Sequence, residues 1–278
     1  MRKIKIVADS SADILTLNIV DFAVAPLKVI TNEQEFVDNT DLNVDAMVQW
    51  FDSYKGKSKT SCPNPSDWLE AFGDAEEIFC ITITSGLSGS YNAACIAKQM
   101  YESACEGRRV YVIDSLSAGP ELMLLIEKLE QYITQDMSFE EICRAIEGYK
   151  QQTGLVFMLE SLKNFAANGR VNPAVAKIAG VLGIRIVGRA SDQGTLEPTN
   201  KCRGEAKALL ALVENLQKEG LRTGKVRISH CKNKVAAQQL RHMIRQILPE
   251  VEVKINTCRG LCSYYAERGG MLVGFERM

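Results

Sequence analysis

Short apolar runs alternate with amphipathic stretches through the first half of the chain. The apolar runs at residues 4–8, 22–30, 78–83 and 109–114 predict strands. Helices are predicted to begin after the capping residues Asn43, Asn64 and Ser138. Because short, wholly apolar strands separated by helices are typical of a sheet covered on both faces, the pattern predicts a parallel-sheet, Rossmann-like α/β unit of three layers.

The second half of the chain has a different pattern. Strands are predicted at residues 154–159, 184–187, 225–230, 251–255 and 271–275, and helices at 162–168, after Pro173, at 202–219 and at 234–248. This order, with a hairpin turn at 191–194, predicts a mixed sheet with helices on one side, which is a two-layer α/β arrangement. The change of pattern alone indicates a boundary near residue 153, between domains at 1–153 and 154–278.

Composition excludes several classes of partner. The 278 residues carry a formal net charge of −1, so the chain has no excess of positive charge that would attract nucleic acid or an anionic membrane. No stretch approaches the ~20 continuous apolar residues that span a bilayer, and the first residues predict a strand rather than a signal peptide. The nine cysteines are scattered and odd in number, so we expect free thiols in a reducing cytoplasm.

No metal site or cofactor is predicted. Cys258 and Cys262 have CxxxC spacing, but no second pair or nearby histidine completes a zinc set, since the only histidines are His230 and His242. Cys62 lies in a segment, residues 57–63, that is predicted to be a loop.

A hydroxyl- and glycine-rich segment at residues 82–91 lies between a predicted strand and a predicted helix. Backbone N–H groups and the positive end of the helix dipole would face an anion there. Its candidate hydroxyls are those of Thr84, Ser85, Ser88 and Ser90. It has no lysine, so it is not a GxxxxGK[ST] phosphate loop, and Ser90 stands where a GxSxG nucleophile elbow has glycine. On this segment alone, an anion site and a well-capped helix are equal alternatives.

Loops at the carboxyl ends of parallel strands meet at one edge of the sheet, where ligands bind. We expect four hydroxyl-bearing segments at that edge, at residues 9–11, 60–63, 85–90 and 114–115. They are neutral or acidic, whereas phosphate sites usually recruit lysine or arginine. The pattern therefore favours a ligand with a small anionic head, held by hydroxyls and backbone N–H groups.

No catalytic centre is predicted. A serine nucleophile needs a base within hydrogen-bond reach, and both histidines fall in the second half of the chain. Asp9 and Asp114 could form a carboxylate pair or cap the helices that follow them. Arg170, in a turn after Gly169, stands out among the arginines, and a surface role and a ligand contact are both open.

Five segments in this order resemble the motifs of the DegV family, the fatty-acid-binding proteins of bacterial lipid metabolism. They are residues 7–13, 59–66, 83–94, 112–115 and 162–171. The resemblance covers nearly the whole chain and implies a two-domain α/β protein, with a DegV-like C-terminal domain, that buries a long acyl chain in an apolar tunnel. Such proteins have no catalytic centre of their own. Some present the fatty-acid carboxylate to a separate ATP-dependent kinase, which makes the acyl phosphate.

The resemblance also implies roles for single residues. By motif, Thr60 and Ser88 would hydrogen-bond the carboxylate, and Ser61 and Gly89 would support it through the loop backbone. Arg170 would supply a positive charge near the head group.

The C-terminal turn departs from the family pattern. The family commonly has a His-x-Gly-Pro-Gly turn before the last strand, whereas here Tyr265 falls about where the histidine would be and Arg268 replaces the proline. A tyrosine can donate a hydrogen bond to a carboxylate but brings no charge near neutral pH.

The main hypothesis is a cytoplasmic protein that binds a long-chain fatty acid, with a fatty-acid kinase as its partner, and that is not an enzyme. One alternative is a serine-dependent hydrolase or acyltransferase using Ser88. The other is a binding protein for a different small anionic ligand, such as a phosphorylated metabolite.

Overall fold

The structure is a computed structural model that describes residues 3–172 and 183–277. Strands and α-helices within these ranges are numbered in chain order. The strands are β1 (Ile4–Asp9), β2 (Asp21–Ala25), β3 (Lys28–Thr31), β4 (Glu35–Val37), β5 (Ser58–Ser61), β6 (Glu77–Thr82), β7 (Arg109–Asp114), β8 (Thr153–Leu159), β9 (Ile184–Ala190), β10 (Leu196–Arg203), β11 (Lys225–His230), β12 (Glu252–Thr257) and β13 (Met271–Glu276). The helices are α1 (Val44–Ser53), α2 (Pro65–Phe72), α3 (Ser90–Ala104), α4 (Pro120–Thr134), α5 (Phe139–Lys150), α6 (Lys163–Ala167), α7 (Glu205–Lys218), α8 (Lys234–Ile247) and α9 (Gly260–Ala266).

The first sheet is parallel, with the strand order β2-β1-β6-β7. Its side chains alternate between two cores, as strand geometry requires. Ile6 and Phe79 pack with residues of α4 and α5, whereas Val7 and Ile78 pack with residues of α2 and α3. The predicted three-layer, Rossmann-like arrangement is therefore confirmed.

The predicted capping residues begin their helices. Asn43 accepts a hydrogen bond from the N–H of Ala46 at 3.0 Å at the start of α1. Asn64 and Ser138 each form a reciprocal capping box, at α2 and α5.

A second sheet of six strands is mixed, with the order β10-β9-β8-β13-β11-β12. On one face, Val156 and Met158 pack with α7 and α8, which are the helices predicted on one side. Helix α4 covers part of the other face because Gly274 has no side chain: a Cβ there would lie 2.5 Å from the backbone nitrogen of Glu121. This close approach brings the two halves of the chain together.

A third, antiparallel sheet, β4-β3-β5, was not predicted. The single extended run expected at residues 22–30 divides into β2 and β3, which belong to different sheets. The loop expected at residues 57–63 contains β5. Its sequence Ser58-Lys59-Thr60-Ser61 has no apolar position, so hydrophobic periodicity gives no sign of a strand.

Three further predictions in the second half differ from the structure. The helix expected to begin at Cys202 begins at Glu205, because Cys202 belongs to β10. Strand β10 was missed because it is mostly polar and has a register shift between Pro198 and Asn200. Helix α9 was missed as well, because its seven residues are too few to show a helical period. The helix expected after Pro173 lies outside the described residues, and the boundary near residue 153 stays a prediction.

Among the helices of the described ranges, none is long and apolar enough to cross a membrane.

Candidate ligand-binding site

A cavity of about 290 Å³ lies where the small sheet, the mixed sheet and the loops of the parallel sheet meet. The six residues predicted to form the site all line it: Thr60, Ser61, Ser88, Gly89, Arg170 and Tyr265. They come from β5, the turn before α3, the turn after α6, and α9. The structure therefore brings together residues that are distant in sequence.

The hydroxyls at the polar end of the cavity form hydrogen bonds with neighbouring groups of the protein. Thr60 Oγ1 and the hydroxyl of Tyr265 lie 2.7 Å apart in a hydrogen bond. The Ser88 oxygen accepts a hydrogen bond from the N–H of Ser90 at 3.2 Å. Because this leaves the Ser88 proton free to donate, Ser88 can bind an acceptor on a ligand.

Arg170 supplies a positive charge at this end. Its Nε donates to the carbonyl of Leu87 at 3.2 Å, and its Nη1 donates to the carbonyl of Asn168. Neither partner is charged, and no carboxylate in the described parts of the chain pairs with Arg170. A guanidinium that is positioned by carbonyls and unneutralised is suited to an anion.

The turn before α3 is fixed by a buried carboxylate. Asp9, at the end of β1, accepts hydrogen bonds from the Ser90 hydroxyl at 2.6 Å and from the N–H of Ile83 at 2.8 Å. Burial raises the pKa of Asp9. Ser90 therefore holds the turn, and Ser85 is exposed. Of the four predicted hydroxyls, those of Thr84 and Ser88 line the cavity.

Asp9 and Asp114 do not form a pair with each other. Asp114 Oδ1 accepts hydrogen bonds from the N–H groups of Ser85 and Leu116, both at 3.1 Å. Asp9 also caps the short 3-10 turn at Ser10–Ala12 by accepting a hydrogen bond from the N–H of Ser11. The capping role considered from sequence therefore holds for Asp9, whereas Asp114 organises loops and caps no described helix.

A hydrogen-bond network behind Thr60 was missed from the sequence. Asn168 accepts from the N–H of Thr60 at 3.2 Å and donates to the hydroxyl of Tyr264 at 3.0 Å. The Tyr264 hydroxyl is also 2.7 Å from Ser58 Oγ, and Asn164 donates to its carbonyl at 2.7 Å. The spacing of Asn164 and Asn168, four residues apart on one helical face, was the available signal.

The hairpin turn between β9 and β10 closes one side of the cavity. Gly194 has a φ of +71°, and a Cβ there would lie 2.0 Å from Thr84 Oγ1. Glycine is therefore needed both for the turn and for its approach to the loop after β6.

Most of the remaining lining is apolar, although Thr84, Ser117 and Thr195 also belong to it. The apolar part includes Leu27, Ile83, Leu155, Phe157, Leu159, Leu196, Leu261 and Leu272. The cavity therefore has a polar end with one cation and an apolar body, which is the arrangement that an amphipathic anion requires.

Comparison with known proteins agrees with this geometry. A sequence-family model described as "Uncharacterised protein, DegV family" matches residues 3–277. The chain belongs to the DegV family. A DegV domain-containing protein of Streptococcus pneumoniae strain R6 is 41% identical over 276 residues, which are 98% of each chain.

Two solved structures are similar to this chain over almost its whole length. One is a DegV family protein from Eubacterium eligens loaded with heptadecanoic acid, with 44% identity, a TM-score of 0.97, and coverage of 99% of this chain and 100% of that one. The other is the Streptococcus pneumoniae Fatty Acid Kinase (Fak) B3 protein loaded with linoleic acid, with 40% identity, a TM-score of 0.97 and full coverage of both chains.

Tyr265 keeps its proton in this DegV protein. Burial raises the pKa of its phenol, although the hydrogen bond with Thr60 and the charge of Arg170 oppose the rise. Phe165 packs against its ring at a centroid distance of 4.6 Å. Tyr265 can therefore act as a neutral hydrogen-bond donor.

Among the described residues, the cavity lining offers no base for a serine nucleophile. Neither histidine lines it, and His230 Nδ1 accepts a hydrogen bond from the N–H of Asn233 at 3.3 Å. Burial lowers the pKa of His230. Cys62 does line the cavity. Burial raises the pKa of its thiol, which disfavours the reactive thiolate.

Proposed function

We propose that this protein binds a long-chain fatty acid, with the carboxylate at the polar end of the cavity and the acyl chain in its apolar body. One observation carries the proposal: the guanidinium of Arg170, which pairs with no carboxylate among the described residues, and the hydroxyls of Thr60 and Ser88 lie at one end of a cavity whose remaining lining is mostly apolar. The two similar structures that hold heptadecanoic acid and linoleic acid support it.

In the proposed complex, Thr60 and Ser88 donate hydrogen bonds to the carboxylate and Arg170 neutralises it. Ser61 and Gly89 shape the loop backbone around the head group, and Tyr265 orients the Thr60 hydroxyl. An acyl chain of ~16 carbons buried at roughly 0.8 kcal/mol per methylene gains on the order of 10 kcal/mol before the costs of association. Tight binding is expected.

The protein would act as a carrier and not as an enzyme. Its similarity to a Fatty Acid Kinase B3 protein supports presentation of the bound acid to a separate kinase, which would form the acyl phosphate. The nine free cysteines support a reducing, cytoplasmic setting.

The test is equilibrium binding of palmitic acid to the wild type and to a Ser88→Ala variant, with Ser85→Ala as the matched control. Ser85 lies in the same turn but is exposed and does not line the cavity. We expect Ser88→Ala to weaken binding by roughly tenfold, the worth of a hydrogen bond to a charged group, and Ser85→Ala to leave it unchanged. Equal affinity in all three proteins would contradict the assignment of the head-group site.

A further inference from the structure

The apolar floor of the cavity is one face of the mixed sheet. Because strand side chains alternate, the odd-numbered residues Leu155, Phe157 and Leu159 of β8 face the cavity. Val156 and Met158, which alternate with them, point into the core beneath α7 and α8. Phe157 is the middle residue of this row and its largest side chain.

Phe157 lies between a residue with a large side chain on one neighbouring strand and a residue with no side chain on the other. The register pairs it with Leu272 on β13 and with Gly188 on β9. A Cβ at Gly188 would lie 2.5 Å from Phe157 Cζ and 2.9 Å from its Cε2. The ring therefore fills the space where a side chain of residue 188 would stand.

This arrangement fixes the ring. Phe157 is only 2% exposed although it lines the cavity, and its ring already lies against the backbone of Gly188, so it cannot move towards β9 to admit a bulkier ligand. Packing of this density is felt at the level of single methylenes. The ring is therefore a rigid boundary of the cavity floor.

From this geometry we infer that the Phe157–Gly188 pair limits the size of the acyl chain that the cavity accepts. The inference rests on the proposed fatty-acid function and adds a specificity-determining residue to it. Phe157 touches only the apolar part of the ligand, so it selects among acids without contributing to recognition of the carboxylate.

The test compares the affinities of myristic, palmitic, stearic and arachidic acid for the wild type and for Phe157→Ala. Removal of the ring opens space beside Gly188, and each further methylene that becomes buried tightens binding about fourfold. Stearic acid has two more methylenes than palmitic acid, so we expect the ratio of stearic to palmitic acid affinity to rise about fifteenfold in the variant. Phe157→Leu, which keeps more of the core, is expected to move the ratio in the same direction by a smaller factor.

Phe275→Ala is the matched control. Phe275 is fully buried, and its Cζ lies 2.9 Å from the Cβ position of its paired Gly154, but it faces the core beneath α7 and α8. Phe275→Ala also removes a ring that packs over a glycine, but on the opposite face of the same sheet. We expect Phe275→Ala to lower stability and to leave the ratio of affinities as in the wild type.

The outcomes separate the inference from the function on which it rests. If both Phe157 variants bind fatty acids with the wild-type ratio of stearic to palmitic acid affinity, the inference is wrong and the proposed function stands. If Phe275→Ala changes the ratio as much as Phe157→Ala, the effect reflects loosened packing and the inference is also wrong. A wild type that binds no fatty acid overturns the proposed function itself.

Discussion

Arg170 gives the cavity its charge complementarity to a carboxylate. Its guanidinium is positioned by two backbone carbonyls and is left without a carboxylate partner among the described residues. We expect Arg170→Ala to weaken binding of palmitic acid by roughly ten- to a hundredfold, since hydrogen bonds to charged groups contribute about 1.5–3 kcal/mol. Equilibrium binding at low and high salt measures this.

Arg144→Ala is the control for this prediction, because Arg144 is exposed on α5 and is not part of the cavity lining. Unchanged binding in Arg170→Ala, with the protein folded, would show that the carboxylate does not contact this arginine.

In the proposed complex, Tyr265 acts on the head group through Thr60. Tyr265→Phe keeps the ring and its contact with Phe165 but removes the hydroxyl that lies 2.7 Å from Thr60 Oγ1. We expect affinity for palmitic acid to fall about three- to tenfold, the worth of one neutral hydrogen bond. Tyr132→Phe, on α4 outside the cavity lining, serves as the control, and a Tyr265→Phe affinity equal to the wild type would mean that Thr60 needs no orientation.

At the level of elements, the turn between β9 and β10 packs on the loop after β6 through Gly194. Gly194→Ala adds a Cβ that collides with Thr84 Oγ1 and also forces alanine to a φ of +71°. Gly107→Ala isolates the second effect, because Gly107 has a φ of +88° and open space around its Cβ position.

Both variants carry the backbone strain of about 1–2 kcal/mol, and we expect Gly194→Ala to lose about 1–3 kcal/mol more because of the overpacking. Urea unfolding gives both values. Equal losses in the two variants would show that the turn can move away from Thr84 without cost.

The elements that could be predicted from the sequence are those with apolar periodicity or clear caps. The parallel strands and the helices that begin after Asn43, Asn64 and Ser138 follow from local signals. Strand β5 could not be predicted, because its stability comes from pairing with β3 and from the bonds of Ser58 and Thr60 to two tyrosines that are more than 200 residues away.

The site could be predicted only in part, because some of it depends on contacts between residues that are distant in sequence. From its residues alone, the turn before α3 could be an anion site or a capped helix start, and resemblance to the family singled out Thr60, Ser88 and Arg170. The pairing of Phe157 with Gly188 depends on strand register, and the network of Asn168 depends on the packing of α6 against β5 and α9. The strand register leaves no trace in a single sequence, and the spacing of Asn164 and Asn168 does not show which groups they bind.

At the scale of the whole molecule, a buried carboxyl lies where the two halves of the chain meet. Asp13 accepts a hydrogen bond from the N–H of Arg259 at 2.7 Å, and its other oxygen has no partner in the described parts of the chain. Burial raises the pKa of Asp13 from 3.8 to about 7, and the nearby Asp38 carboxyl also raises it. The folded protein therefore holds this proton more tightly than the unfolded chain does.

The sign of the pH dependence follows from linkage. The contribution of protonated Asp13 to stability is complete below about pH 4 and is lost as the pH rises towards about 7. Asp13→Asn has no carboxyl group to ionise at this position. We therefore expect the free energy of unfolding to fall less with rising pH in Asp13→Asn than in the wild type, by up to about 4 kcal/mol. Burial also raises the pKa of Asp9, Asp38 and Glu121, so a smaller slope of the same sign remains.

Urea unfolding of the wild type and Asp13→Asn across this pH range measures the difference. An identical dependence of the unfolding free energy on pH in the two proteins would mean that Asp13 is ionised in the fold throughout.

The proposed binding cavity has a polar end that comes from both halves of the chain and a floor formed by the mixed sheet. The most direct test is mass spectrometry of an organic extract of the purified wild-type protein. The proposed function predicts a long-chain fatty acid in an amount close to equimolar with the protein. An extract without fatty acid, from a protein that also takes up none when palmitic acid is added, would contradict it.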